Sequence, residues 1–486
     1  MDLIAEIDRR AWETPDKPAQ VSEGRVLTYG ELLRRSNALA GHLAVLLGGD
    51  RSPVGVRGHK EGEMLVAFFA AVKAGHPYIP LDTALPEARV ERIVAASGAR
   101  IVLTPERVAE LSGTLAPGGV VPRPVGPSDP YYIIFTSGST GEPKGVVITL
   151  QNLTGFVEWM LAEQQYGDEV FLNQAPFAFD VSMHDLHLSL VTGSTLFSVT
   201  APQIANPREL YSALAASGTT TFVSTPSFAR LCLAEKTFTA DMLPRLRRFL
   251  FAGETLAPEI VAQLFARFPR AAVWNAYGPT EATVYATSIK IDTELLGRYP
   301  SVPIGYPRPG GRILIMDEDR REVPEGARGE IVIVGPHVSP GYLGRPDLTA
   351  KVFFVVDGER AYRTGDAGHI RDGLVFFDGR IDNQVKLHGY RIELGDVEAN
   401  LCALPGVRDA IVVPVLRQGQ IDSLAACVIL TEHGTESDFE RAQALREALG
   451  VRLPAYMVPR RFQFLPAFPM TANGKADRRQ LAGLVT

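Results

Sequence analysis

The run Tyr131-Tyr132-Ile133-Ile134-Phe135-Thr136-Ser137-Gly138-Ser139-Thr140-Gly141-Glu142-Pro143-Lys144-Gly145 joins a short apolar segment to a loop of glycines and hydroxyls that carries a lysine. Five consecutive apolar residues with no polar alternation predict a strand buried on both faces, the kind found in parallel sheets. In the loop, glycine permits φ > 0 and close backbone approach, so successive N–H groups can converge on an anion. Thr136, Ser137, Ser139 and Thr140 add hydroxyl donors, and Lys144 adds a positive charge. This is chemistry for a polyphosphate. It differs from the P-loop of nucleotide hydrolases, where Ser or Thr follows the lysine; here Gly145 does.

Working outward, the first third alternates helices with strands. Thr28 stands three residues before Glu31, a capping box opening an apolar helical face through Leu43 and Leu47. Met64 to Val72 reads as an apolar helix that stops at Gly75 and Pro77. Tyr78–Leu81 and Ile101–Thr104 read as short strands, so the pattern predicts an α/β parallel sheet. A second sheet region is expected from Val170 to Thr287. Ile313–Met316, Gly329–Val334 and Leu374–Phe377, separated by Asp/Gly turns, predict a smaller β-rich lobe. The last hundred residues read as a compact α+β unit that begins near Gly379-Arg380-Ile381-Asp382.

Composition narrows the function classes. At 486 residues the chain needs more than one core. Its 46% hydrophobic content is ample for them and excludes a disordered chain. A net charge of −6 without like-charge runs does not suggest a nucleic-acid binder. Three scattered cysteines, Cys232, Cys402 and Cys427, lack metal-ligand spacing and fit a reducing cytoplasm. No run is apolar enough to span a membrane, and Met1 to Trp12 lacks a signal-peptide core. Only nine basic residues are lysine: 17, 60, 73, 144, 236, 290, 351, 386 and 475. In so Arg-rich a chain, a lysine inside a motif points to a place where a compact ammonium is needed.

The loop resembles the signature of the adenylate-forming superfamily of acyl-CoA synthetases, luciferases and nonribosomal peptide synthetase adenylation domains. Seven further segments carry the resemblance in the family's order: Ala74-Gly-His-Pro-Tyr-Ile-Pro-Leu81, Phe177-Ala-Phe-Asp-Val-Ser182, Phe251-Ala-Gly-Glu254, Asn275-Ala-Tyr-Gly-Pro-Thr-Glu281, Tyr362-Arg-Thr-Gly-Asp366, Gly379-Arg-Ile-Asp-Asn-Gln-Val-Lys386 and Asn473-Gly-Lys475. Asn173 to Asp180 and Val385 to Arg391 are similar to stand-alone amino acid:carrier-protein ligases. The resemblance implies a large N-terminal domain, residues 1–381, of two α/β sheets plus the β-rich lobe. It also implies a small mobile α+β cap, residues 382–486, that turns at a hinge, Asp382.

The same resemblance implies site roles. Thr136, Ser137, Gly138, Ser139, Thr140, Gly141 and Lys144 would hold the β- and γ-phosphates of ATP. Asn275 belongs to the nucleotide site and Tyr277 would stack on adenine. Thr280 would touch the α-phosphate, Glu281 would ligate Mg²⁺, and Asp366 with Arg380 would take the ribose. Lys475 would bridge the substrate carboxylate to the α-phosphate. Asp180 would pair with the ammonium of an amino acid, a partner that fatty-acid and aryl-acid members lack. Val181, His184, Leu250, Ala252, Ala276, Gly278, Val284 and Tyr285 would line the rest of that pocket, and the bulk of His184 and Tyr285 favours a small substrate, alanine first. Ala252 and Tyr285 depart from the D-alanine-activating branch, so the L and D forms both remain open. Ser182, His184 and Asp185 lie too close in sequence for a hydrolase triad. With eleven residues after Lys475, the expected acceptor is the phosphopantetheine thiol of a discrete carrier protein.

Overall fold

The computed structural model describes residues 1–114, 121–138, 141–417, 420–432, 436–470 and 476–485. Ser139, Thr140 and Lys475 of the expected site lie outside the described residues. The chain divides into two compact units. One comprises Met1–Asp82, Ser97–Ile134 and Gly145–Ile381; the other comprises Thr83–Ala96, Phe135–Lys144 and Asp382–Thr486.

Within the larger unit, two sheets carry most of the strands. In the described residues a nine-stranded sheet runs parallel through its centre: Ala272–Tyr277, Arg248–Phe251, Thr221–Ser224, Val170–Asn173, Thr195–Ser198 and Pro18–Ser22 lie side by side. Antiparallel strands close both edges. The second sheet is built on Val54–Gly58, Tyr78–Asp82 and Pro130–Thr136. Thr221–Ser224 is buried at every position, as expected for a strand covered on both faces. The expected β-rich lobe is present as a sheet that includes Arg312–Met316, Gly329–Val334, Glu359–Arg371 and Leu374–Arg380.

Local signals and tertiary structure agree at the first helices. Thr28 caps the helix Tyr29–Leu47 in a capping box with Glu31. Gly62–Lys73 is buried along Met64 to Lys73, the state expected of a helix apolar all round. It packs against Tyr29–Leu47 and Pro105–Ser112.

The smaller unit has its own core, drawn from Val385, Ile392, Val397, Val412, Val428 and Leu449 among others. Its long hairpin pairs Val407–Arg417 with Gln420–Leu430, and Arg461–Phe464 adds a parallel strand. Arg89 and Asp396, both buried, form an ion pair at 3.0 Å inside this unit.

A cluster of aromatic rings fills the second core of the larger unit: Phe222 lies 5.8 Å from Phe228, 5.9 Å from Phe238 and 5.2 Å from Phe249 between centroids. Phe222→Ala opens a cavity in that cluster and should cost about 3–5 kcal/mol, read as a lowered denaturation midpoint. A midpoint unchanged from wild type would show that the cluster does not carry the core.

Candidate active site

Parallel strands deliver the expected pocket residues to one edge. Asn173, Val223, Leu250 and Trp274 are in register across four neighbouring strands, and Ser224, Phe251 and Asn275 form the next row. Asp180, Ala252 and Gly278 follow the carboxyl ends of three of those strands, where open α/β sheets bind ligands. Leu250, Ala252 and Ala276 are buried, and Val181 is half-buried. Asn275 is buried too, with its side-chain amide donating to the Pro303 carbonyl at 2.8 Å.

Three expected nucleotide residues meet directly. The Tyr277 hydroxyl donates to one Asp366 carboxylate oxygen at 2.5 Å, and Arg380 donates to the other at 2.7 Å. Arg380 also donates to the Thr364 carbonyl. Burial, then the Asp366 charge, push the Tyr277 phenol well above its ordinary range, so it remains a donor. Two donors hold the Asp366 carboxylate from different elements, which fixes the orientation of an acceptor able to take two hydroxyls.

The turn after Tyr277 is tightly drawn. A Cβ on Gly278 would sit 2.7 Å from the Tyr285 Cα and 2.8 Å from the Val284 carbonyl oxygen, so only glycine fits. Thr280–Ala282 is a short 3₁₀ turn that buries Thr280 and Glu281. Tyr342, which the sequence did not single out, donates its hydroxyl to Glu281 Oε1 at 2.8 Å. These residues stand 61 positions apart, so no local pattern links them. Thr283 and Val284 then take φ of 57° and 69°. A β-branched residue rarely adopts such angles, and backbone strain of this kind collects at functional sites. The Tyr285 N–H closes on the Thr283 carbonyl at 2.9 Å, and the Thr283 hydroxyl donates to the His337 carbonyl at 2.8 Å.

Asp180 stands in the turn before the helix Ser182–Val191, and its charge acts on the Tyr285 and Tyr132 phenols. His184 and Tyr285 are fully buried with ring centroids 5.6 Å apart, and Phe156 packs on both. His184 Nε2 shares a hydrogen bond with the Tyr166 hydroxyl at 2.9 Å. Ser182 donates to the Phe179 carbonyl, and Asp185 accepts from Asn173 at 2.5 Å. The three residues that could suggest a triad thus serve separate partners. Lys60, also missed in the sequence, is buried beneath this region and donates to the carbonyls of Asn173 and Gln174 at 2.7 and 2.8 Å.

In the smaller unit, Thr136 ends the strand Pro130–Thr136 and Lys144 opens the strand Lys144–Thr149. A Cβ on Gly138 would lie 2.2 Å from the Glu142 carbonyl oxygen, which accounts for glycine there. The Gly141 N–H donates to the Gly138 carbonyl. Ser137 donates to the Arg391 carbonyl at 3.2 Å and accepts from the Glu393 N–H at 3.0 Å. Lys144 lies 3.9 Å from the Glu393 carboxylate. Asp382 accepts from the Gln384 N–H at 3.1 Å.

Residues 7–343 match the family described as AMP-binding enzyme, and residues 396–475 match the AMP-binding enzyme C-terminal domain. The chain belongs to the AMP-binding enzyme family. It is 46% identical over 507 aligned residues to the D-alanine–D-alanyl carrier protein ligase of Bacillus mycoides, with 100% of both chains covered. Kinship of this extent makes it an AMP-forming ligase. A solved NRPS protein containing adenylation and PCP domains is 26% identical, with a TM-score of 0.83 over 99% of this chain and 84% of that one. An adenylation domain of Vibrio cholerae, solved with glycyl-adenosine-5'-phosphate, superposes with a TM-score of 0.85 at 22% identity, over 99% of this chain and 97% of that one, and shares the fold. Among the described residues no helix is long and apolar enough to cross a membrane.

The buried imidazoles set a pH dependence. Burial, with Arg248 adding to it, holds His184 down at about 3, and burial holds His187 down at about 4. Between those values and the ordinary 6.5, the unfolded chain binds protons that the folded chain does not. Stability is therefore full above about pH 6.5 and falls as pH drops through that window, by up to about 1.4 kcal/mol per pH unit for each imidazole. His184→Gln should melt with a shallower pH slope than wild type between pH 7 and 4.5; parallel slopes would remove His184 from the account.

Proposed function

We propose that this ligase activates alanine, D-alanine foremost, as alanyl-AMP and passes it to the phosphopantetheine thiol of a separate carrier protein. The observation that carries the reading is the full-length 46% identity to a ligase named for D-alanine and a carrier protein. The packed His184–Tyr285 wall supports a small side chain.

In the first half-reaction a carboxylate oxygen of alanine forms a bond to the α-phosphorus of ATP, and the bond to the bridging oxygen breaks, releasing pyrophosphate. In the second the carrier thiol, losing its proton, attacks the acyl carbon, and AMP leaves with the electron pair. Protein groups contribute position and charge. Asp366, held by Tyr277 and Arg380, receives the ribose hydroxyls. Gly138 and Gly141, with Thr136, Ser137 and Lys144, cradle the outer phosphates, and Ser139 and Thr140 complete that loop. Thr280 meets the α-phosphate.

Glu281 offers hard oxygen, and its orientation by Tyr342 suits a divalent ion. With substrate phosphates it would hold Mg²⁺, which would neutralise charge there. Lys475 supplies a compact ammonium to the carboxylate and the α-phosphate. Residues 1–381 serve as the substrate-binding body, 382–486 as the cap, and Asp382 as the pivot.

Asp180 is assigned to the substrate ammonium. Breaking such a charge pair leaves one charge uncompensated, so Asp180→Ala should raise the KM for alanine about 100-fold with a smaller change in kcat. ATP–pyrophosphate exchange tests the reading across D-alanine, L-alanine, glycine, serine, small β-amino acids and short carboxylic acids. D-Alanine is expected to give the highest kcat/KM. Exchange driven by carboxylic acids and by no amino acid would replace the reading with an acyl-CoA synthetase.

A further inference from the structure

A cavity of about 680 Å³ lies in the larger unit, away from the pocket of Asp180 and Ala252. Its walls come from the first turns of the helices Leu3–Glu13 and Leu150–Gln164, from residues 124–127, and from Arg308 and His337. Much of the lining is apolar: Ile4, Val125, Leu150 and Pro336.

Four charged side chains reach this cavity, and three are already compensated. Asp2 caps its helix by accepting from the Ala5 N–H at 3.0 Å. Asp8 pairs with Lys73 at 2.7 Å, and Glu158 pairs with the Met1 ammonium at 2.6 Å. Arg308 is only 6% exposed, and among the described residues no carboxylate pairs with it. Its Nη1 has no hydrogen-bond partner, and its guanidinium stacks on Trp159 at 5.1 Å. His337, 3% exposed, has no partner on either ring nitrogen. Burial holds it neutral, so it carries one N–H donor.

A buried cation without a counter-charge is costly, and a buried polar atom without a partner adds to that cost. Guanidinium is the side chain best shaped to take a carboxylate bidentately. We propose that this cavity is a second ligand site, for an amphipathic carboxylate whose head sits on Arg308 and His337 and whose apolar body lies along Ile4, Val125 and Pro336.

The site is tied to the amino-acid pocket by backbone. The Arg308 N–H donates to the Ala286 carbonyl at 2.9 Å, and the His337 carbonyl accepts from Thr283. Both cavity donors are thereby anchored on the strained turn that carries Val284 and Tyr285.

Titration calorimetry on the full chain tests the proposal with octanoate, benzoate and inorganic phosphate as probes, in chloride buffer. None of these needs the ligase to turn over, so failure here leaves the assigned reaction untouched. Saturable binding of octanoate or benzoate is expected. Arg308→Met keeps an unbranched side chain in that space but removes the guanidinium and with it the charge-assisted pair, so it should weaken binding at least about tenfold. Ala5→Phe fills the cavity mouth from an exposed position and should abolish binding without disturbing Arg308. That second variant decides the matter if Arg308→Met fails to fold. The proposal is overturned by no saturable heat from either carboxylate, by heat that persists in both variants, or by binding of phosphate alone.

Discussion

One carboxylate organises the larger unit. Asp366 sits in the strand Glu359–Arg371 of the β-rich lobe, yet one of its oxygens is held by Tyr277, from the end of a central strand of the nine-stranded sheet. The other is held by Arg380, at the end of the strand Leu374–Arg380 and one residue before the unit closes at Ile381. Sheet, lobe and last strand therefore converge on two oxygens about 2.5–2.7 Å from their donors. Charge-assisted hydrogen bonds of this kind are directional, so they set geometry as well as energy. In the ribose-binding role proposed for Asp366, that fixation spares the carboxylate from reorganising when a ligand arrives.

Much of this was legible in the sequence, and the parts that were share a cause. The apolar run Tyr131–Phe135 and the capping box at Thr28 are local signals, each carried by neighbouring residues. They foretold a buried strand and a helix start, and both are present. What escaped was non-local. Tyr342 holds Glu281, Tyr166 holds His184, and Lys60 reaches the carbonyls of Asn173 and Gln174, 113 and 114 residues away. No spacing rule reports such contacts, since tertiary folding alone makes them neighbours. The grouping of Thr83–Ala96 and Phe135–Lys144 with the residues from Asp382 onward was equally invisible, because it rests on contacts such as Arg89–Asp396 and Ser137–Arg391.

Strain and burial fall on the same segment. Gly278 is required because the Tyr285 backbone passes 2.7 Å from where its Cβ would stand, and five residues later the chain enters two consecutive positive-φ positions without glycine. Such a turn persists only if its surroundings over-determine it. They do: Ala286 is held by the Tyr277 carbonyl from one side and by the Arg308 N–H from the other, and Thr283 is held by His337. The positions of Val284 and Tyr285, proposed for the pocket wall, are thus set by backbone geometry that side-chain identity does not report.

Lysine usage follows the same logic of position over composition. In a chain that otherwise uses arginine, Lys60 and Lys73 are buried. Burial pulls the Lys60 ammonium down to about 7, while Asp185 and Asp82 pull it upward. Its three donors are arranged tetrahedrally, and two of them meet the adjacent carbonyls of Asn173 and Gln174 at the end of a central strand. Lys73 divides its donors among Asp8, Asn37 and Ser36. A planar guanidinium could not address three directions from one compact atom in so little space. Lys144 and Lys475 stand inside sequence motifs, whereas Lys60 and Lys73 answer a steric demand from inside the core. Lys60 does so directly under the strand end from which the chain enters the Asp180 turn, where its ammonium fixes two consecutive carbonyls.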